Sequence, residues 1–265
     1  MVVGRHLVNL VAKNKKTAIT TIFGLIAGPI IGYLIVESII ITPSDLVRDL
    51  EKGDISMFND HRKQIKQQIA FDGIDLSGKN LEKANLNSVI IEHSNLSNTN
   101  LQYSELENVQ ISGDLSEIDL RHAGLFNADL ADAYLLRADL IGANLAGADL
   151  SGARLRDANL SGADLSGANL FHASLPGANL GGAGLSHAIF DGADLTNARL
   201  EFADLTNAFV LNSTLTNADL NLANLNESIF DCSSVRTVIN LAVVNVTQIH
   251  IVDSNRNEVS ISNCN

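Results

Sequence analysis

At 265 residues the chain is long for one compact domain, and its net charge of −12 argues against direct nucleic-acid binding, which needs a basic face. The charge is uneven: residues 72–235 hold 22 acids and 7 bases, net −15, whereas residues 1–41 hold 4 bases and 1 acid, net +3. An acidic surface of this kind serves solubility first.

In chain order the first predicted segment is a basic N-terminus, residues 1–16, with Arg5, Lys13, Lys15 and Lys16. Residues 17–41 follow as an expected transmembrane signal anchor, because positions 18–36 carry no charge and about twenty apolar residues span a bilayer as a helix. A cleaved secretory signal would have a shorter apolar core and a small-x-small exit, and the sequence here leaves through Val36, Glu37 and Ser38 instead. A buried hydrophobic helix is the other reading of this run. Only Arg48 and Lys52 follow it closely, so the positive-inside rule predicts a single-pass membrane protein with a cytoplasmic N-terminus and the rest of the chain outside. Gly24, Gly28 and Gly32 fall four apart on one face of that helix, a small-xxx-small arrangement that allows two membrane helices to pack.

Residues 42–70 are predicted as a helical linker and N-cap. Leu46, Val47, Leu50, Ile55 and Phe58, then Ile65 and Ile69, carry helix-like apolar spacing, and Ser44 after Pro43 is placed to cap the first helix. Such a segment would cover the open edge of whatever follows.

From Leu120 to Phe230 an apolar residue recurs at every fifth position, mostly Leu with Ala two residues earlier. A helix would swing residues five apart about 140° around its axis, which excludes a shared buried stripe. In a flat strand Leu125 and Leu130 would point to opposite faces, so the chain must turn a corner within every five residues. Units such as 143–147 (Ala-Asn-Leu-Ala-Gly) and 148–152 (Ala-Asp-Leu-Ser-Gly) fit: an extended Ala-x-Leu faces inward, and a small, turn-prone pair bends the chain. Short parallel strands stacked in this way form an all-β solenoid.

These units resemble the pentapeptide-repeat family. The resemblance covers residues 71–235, with Phe71, Leu76, Leu81, Leu86, Ile91, Leu96, Leu101, Leu106 and Ile111 at the central position, then Leu115, Leu120 and onward to Val235. It implies a right-handed quadrilateral β-helix with one pentapeptide per side, Leu and Ala inside, and the Asp or Asn between them outside. Roughly eight coils follow, and each inward Leu should contribute about 1.5–3 kcal/mol by burial. Ile111 and Leu115 are only four apart, so an irregular coil is expected at residues 112–114.

Residues 236–265 are read as a C-terminal cap or tail, with strand-like runs at 238–246, 248–252 and 258–262. Cys232 and Cys264 could tie this tail to the last coil in an oxidising compartment, or remain two free thiols.

No catalytic, metal-binding or cofactor-binding constellation emerges. His93, His122, His172 and His187 fall on different walls or distant coils, and the stacked carboxylates Asp119/Asp139 and Asp129/Asp149 occupy the repeat's usual outward position. The informative departure is on one wall, where the outward residues run Asp129, Asp149, Asn169 and then Ile189, Phe209, Ile229, with Leu211 beside them. Phe202 above Leu222 forms a smaller apolar column on what the spacing reads as an adjoining wall. Contiguous exposed apolar surface marks a contact: the chain's own tail, a second subunit in a homodimer, or an unknown protein partner. The leading functional reading is a non-enzymatic, membrane-anchored scaffold for protein–protein interaction. The family resemblance implies an alternative, an acidic DNA-mimic rod that binds a type II topoisomerase, and that alternative needs a cytosolic rod.

Overall fold

The computed structural model describes residues 43–65, 68–235, 249–253 and 256–259. The expected membrane anchor and its Gly24, Gly28, Gly32 face lie outside the described residues. Among the described residues no helix is long and apolar enough to cross a membrane.

Two helices lead in, α1 (Pro43–Lys52) and α2 (Ile55–Gln64). Because α1 begins at Pro43, Ser44 falls in its first turn and not before it, a correction to the expected cap; Asp54 caps α2 through the Met57 N–H. Leu46, Leu50 and Phe58 are fully buried, and polar contacts fix α2 on the first coil. Asn59 donates to the Lys83 carbonyl at 2.9 Å, and Arg62 reaches the Asn87 carbonyl at 2.7 Å. The leader helices thus close the solenoid's first edge, where unpaired strands would otherwise be open to other chains.

From residue 70 onward the chain stacks on itself at a spacing of four units. Asp129 pairs in parallel with Asp149, and Asp149 with Asn169, each pair twenty residues apart. Three hydrogen bonds per unit hold neighbouring coils: Leu145 N–H donates to the Asp164 carbonyl at 2.6 Å, Gly147 N–H to the Ser166 carbonyl at 2.9 Å and Asn144 N–H to the Ala123 carbonyl at 2.9 Å. Each corner is a turn closed by a bond such as Ala148 N–H to the Leu145 carbonyl, 2.9 Å, with Gly147 between them at φ 68. A positive φ at the third turn position defines a type II turn and explains the Gly, Asn and His found there.

The inward assignment holds. The central Leu and preceding Ala residues of the regular coils are at most 1% exposed and form one continuous core with Phe58 and Ile251 at its two ends. Outward Asp and Asn have a backbone role beyond solubility. The Asp149 Oδ1 accepts the Ser151 N–H at 2.9 Å and Asp164 accepts Ser166 N–H at 3.0 Å, so the side chain helps bend its own corner. On the first wall that residue is missing from the early and late coils, and the chain stays extended at residues 70, 90, 110, 209 and 229, while the corner after Ile189 still closes from Ala193 N–H to the Phe190 carbonyl. β1 (Ala70–Asp72), β2 (Ile90–Asn95) and β3 (Gln110–Asp114) form one parallel sheet; β4 (Phe209–Val210), β5 (Ile229–Asp231) and β6 (His250–Val252) form another.

The irregular coil is where the spacing placed it. Ile91 pairs with Ile111, twenty apart, but Ser94 pairs with Gly113 and Asn95 with Asp114, nineteen apart, and the shorter step persists for one circuit to Gln110 and Asp129. Gly113 makes this possible at φ 134, since a Cβ there would lie 2.1 Å from the Ser94 carbonyl oxygen.

After β5 a short helix, α3 (Cys232–Val235), turns the chain across the last coil. Cys232 is disulfide-bonded, and the sequence's only other cysteine is Cys264, outside the described residues. β6 returns to stack in register on β5, with Ile229 opposite His250 and Phe230 opposite Ile251.

Candidate functional site

Histidines meet carboxylates in three places, His61 with Asp49 at 2.6 Å, His93 with Asp72 at 3.0 Å, and His250 with Glu227 at 3.0 Å. Among the described residues no group of three His, Cys, Asp or Glu side chains is arranged to hold a metal. Of the stacked carboxylates, Asp119 and Asp139 stand beside a cation, and Asp129 and Asp149 accept hydrogen bonds from neutral amides. Arg121 donates to both oxygens of Asp119 at 2.9 and 2.7 Å and lies 3.6 Å from Asp139. Partial burial raises the Asp119 pKa, but the hydrogen bonds and charge of Arg121 outweigh it and hold the carboxyl below its ordinary range. Asp129 accepts from Gln110 at 3.0 Å, and Asp149 from Asn169 at 3.0 Å.

The apolar column forms as the spacing required. Asn169 pairs with Ile189, Ile189 with Phe209, and Phe209 with Ile229, so the three apolar side chains stand one above another on the first wall. Ile189 and Phe209 are each 40% exposed, while Ile229 and Leu211 are half-buried. The described part of the tail continues the wall above Ile229 as β6, and its Val252, Asp253 and Arg256 border a recess shared with Leu211. Phe171, 43% exposed at the same wall's corner, extends the apolar surface downward. Periodicity alone missed it, because it occupies a turn position where residue size carries no regular signal.

Replacing Asp or Asn by Ile189, Phe209 and Ile229 forgoes three corner bonds of the kind Asp149 makes. Local stability has been given up along this strip, a departure expected where a surface has another use. Asp191 stands between Phe171 and Leu211 in the corner column, and the acids beside the strip are held by hydrogen bonds. Asp191 accepts from Asn212 Nδ2 at 2.8 Å, and Asp231 accepts the Asn212 and Ser234 N–H groups at 2.9 and 2.8 Å. Burial raises the Asp231 pKa, and these bonds, Ser234's first, bring it below the ordinary value.

Phe202 and Leu222 are 66% and 55% exposed. They sit at the corner after the wall of Arg199 and Asp219, which is opposite the first wall, so this column is not on a wall adjoining the Ile189 strip, a correction to the expectation from spacing. Both adopt positive φ, 62 and 58, a conformation unfavourable for bulky side chains.

The sequence matches a family model described as pentapeptide repeats in 8 copies, over residues 68–102, 80–113, 123–162, 163–201 and 193–231. Among solved structures it is similar to HetL, a pentapeptide repeat protein involved in heterocyst differentiation regulation from the cyanobacterium Nostoc sp. strain PCC 7120. The identity is 26%, over 77% of this chain and 99% of that one, with a TM-score of 0.36. The pentapeptide repeat protein alr5209 from Nostoc PCC 7120 is 33% identical over 40% of this chain and 84% of its own, TM-score 0.32. QnrB1, a plasmid-mediated fluoroquinolone resistance protein, is 16% identical over 69% and 90%, TM-score 0.29. No curated protein matches the sequence.

Proposed function

Because the chain belongs to the pentapeptide-repeat family, we propose that it works as a non-enzymatic protein-binding scaffold, held to a membrane through residues 18–36 and presenting its coils outside the cytoplasm. The strip of Ile189, Phe209 and Ile229, with Leu211 and Phe171 beside it, carries this reading. Since Ile189 and Phe209 are 40% exposed, covering the rest of each gains roughly 1 kcal/mol, which favours a complementary protein surface, whether of another protein or of a second copy. The uncharged run with basic residues before it supports the anchor and its orientation. The disulfide at Cys232 supports an oxidising compartment for the coils, and it counts against a cytosolic rod acting on a topoisomerase.

Two measurements test this. The full chain should remain in the membrane pellet after carbonate extraction, and protease added to intact cells should cut its coils. In the same membranes, Phe209→Asn should remove a crosslinked partner or a crosslinked dimer while the melting temperature stays near the wild-type value. Recovery in the soluble fraction overturns the anchor, and unchanged crosslinks overturn the strip.

A further inference from the structure

On the second wall, Arg154 and Arg156 flank the buried Leu155 and both are exposed. Other arginines of the coils stand beside carboxylates: Arg121 is 2.7 Å from Asp119, Arg199 is 3.3 Å from Glu201, and Arg137 is paired with Glu117. Among the described residues, Arg154 and Arg156 have no carboxylate within 4.0 Å. Asp157, next in sequence, turns toward the following coil, with its Oδ1 2.4 Å from where a Cβ on Gly177 would stand.

The recess beside them is lined by neutral residues, with Asp157 and Arg137 at its border. Tyr134 and Ser174 are the coil neighbours of Arg154, and the pair borders a recess of about 470 Å3 lined also by Leu136 and Ser116. The Arg154 guanidinium carbon lies 4.5 Å above the centre of the Tyr134 ring, which holds the planar group in place while its N–H edges stay available. Three successive outward positions, Tyr134, Arg154 and Ser174, lack the Asp or Asn that bends its own corner elsewhere.

We propose that Arg154 and Arg156 form a docking site for an acidic peptide segment of a partner protein. Arg154 stands on the wall and Arg156 opens the corner after Leu155, so the two guanidiniums border one recess from its face and its edge, and two carboxylates of one peptide can meet them. Tyr134 and Leu136 supply apolar contact for the residues between. A long polyphosphate or nucleic acid fits less well than a short acidic segment, because it would run beyond the recess onto the rest of residues 72–235, which is strongly acidic. This site stands apart from the first-wall strip and does not depend on what the strip binds.

The test uses the full chain in detergent micelles and fluorescein-labelled oligoglutamate, read by anisotropy at low ionic strength. The double variant Arg154→Gln/Arg156→Gln should weaken binding about tenfold, the loss expected from two exposed charge contacts. The control Lys83→Gln/Arg199→Gln removes the same charge away from this recess and should bind like the wild type. Absence of binding to the wild type, equal weakening by both doubles, or tighter binding of inorganic polyphosphate than of oligoglutamate would overturn the proposal.

Discussion

His250 Nε2 lies 3.0 Å from Glu227 Oε2, which ties the returning strand β6 to a corner of the coil beneath it. The other ring nitrogen meets Glu258, and the two carboxylates, Glu258 first, raise the His250 pKa above its ordinary 6.5. Since the folded value is the higher one, this latch contributes fully below pH 6.5 and is lost as pH rises through the raised value. Asp253 and Arg256 stand in the same hairpin. The difference in melting temperature between wild type and His250→Gln should be widest below pH 6.5 and close above the raised pKa. A gap independent of pH would show that the imidazole acts through packing alone.

Gly113 should be the least replaceable glycine of the coils. Gly113→Ala places a methyl group against the Ser94 backbone at 2.1 Å, so the shortened coil must open. Gly162→Ala meets nothing within 4 Å and bears only the strain of φ 64. Thermal unfolding should show a loss of about 2–4 kcal/mol for the first and about 1 kcal/mol for the second. Equal losses would mean that the coil relaxes freely around residue 113.

Leu165 is fully buried, and Asn144 is exposed with its Oδ1 accepting the Ala146 N–H at 3.1 Å. Leu165→Asp puts an unpaired carboxylate in the core and should cost more than about 4 kcal/mol, enough to melt several coils. Asn144→Asp keeps the corner bond and should change stability by less than about 0.5 kcal/mol. Comparable melting shifts for the two would invalidate the inward and outward assignments.

The inward side of this fold was legible because Leu165 and its counterparts recur without exception, and burial enforces that period. The missing residue after Ile111 was legible for the same reason. Outward features were harder to read, because nothing in a period requires them. The Ile189 column stood out only because it breaks a run of Asp and Asn. Arg154 and Arg156 passed unnoticed, since their meaning lies in which neighbours lack a carboxylate, a fact of the stacking. His250 was hidden by the 21-residue step from Ile229, which leaves the twenty-residue register.

Cys232 should be unreactive toward a thiol label in the native chain and become reactive only after reduction. Closing a loop of this kind constrains the unfolded tail and is typically worth about 2–4 kcal/mol, so Cys232→Ser should loosen β6 before the coils melt. Quantitative labelling without reductant would remove the disulfide and, with it, one support for an extracytoplasmic location.

Stacking by whole coils also makes distance a discrete quantity. Ile189 stands six pairings above Ala70 on the first wall, roughly 29 Å at the usual strand spacing, and the leader helices mark the base of that column. Excising one full coil would lower the apolar strip by one strand spacing without rotating it, whereas removing a single five-residue unit would swing it to a neighbouring wall. The number of repeats therefore sets how far above its base this chain presents its contacts, and their remainder on division by four sets the direction in which those contacts face.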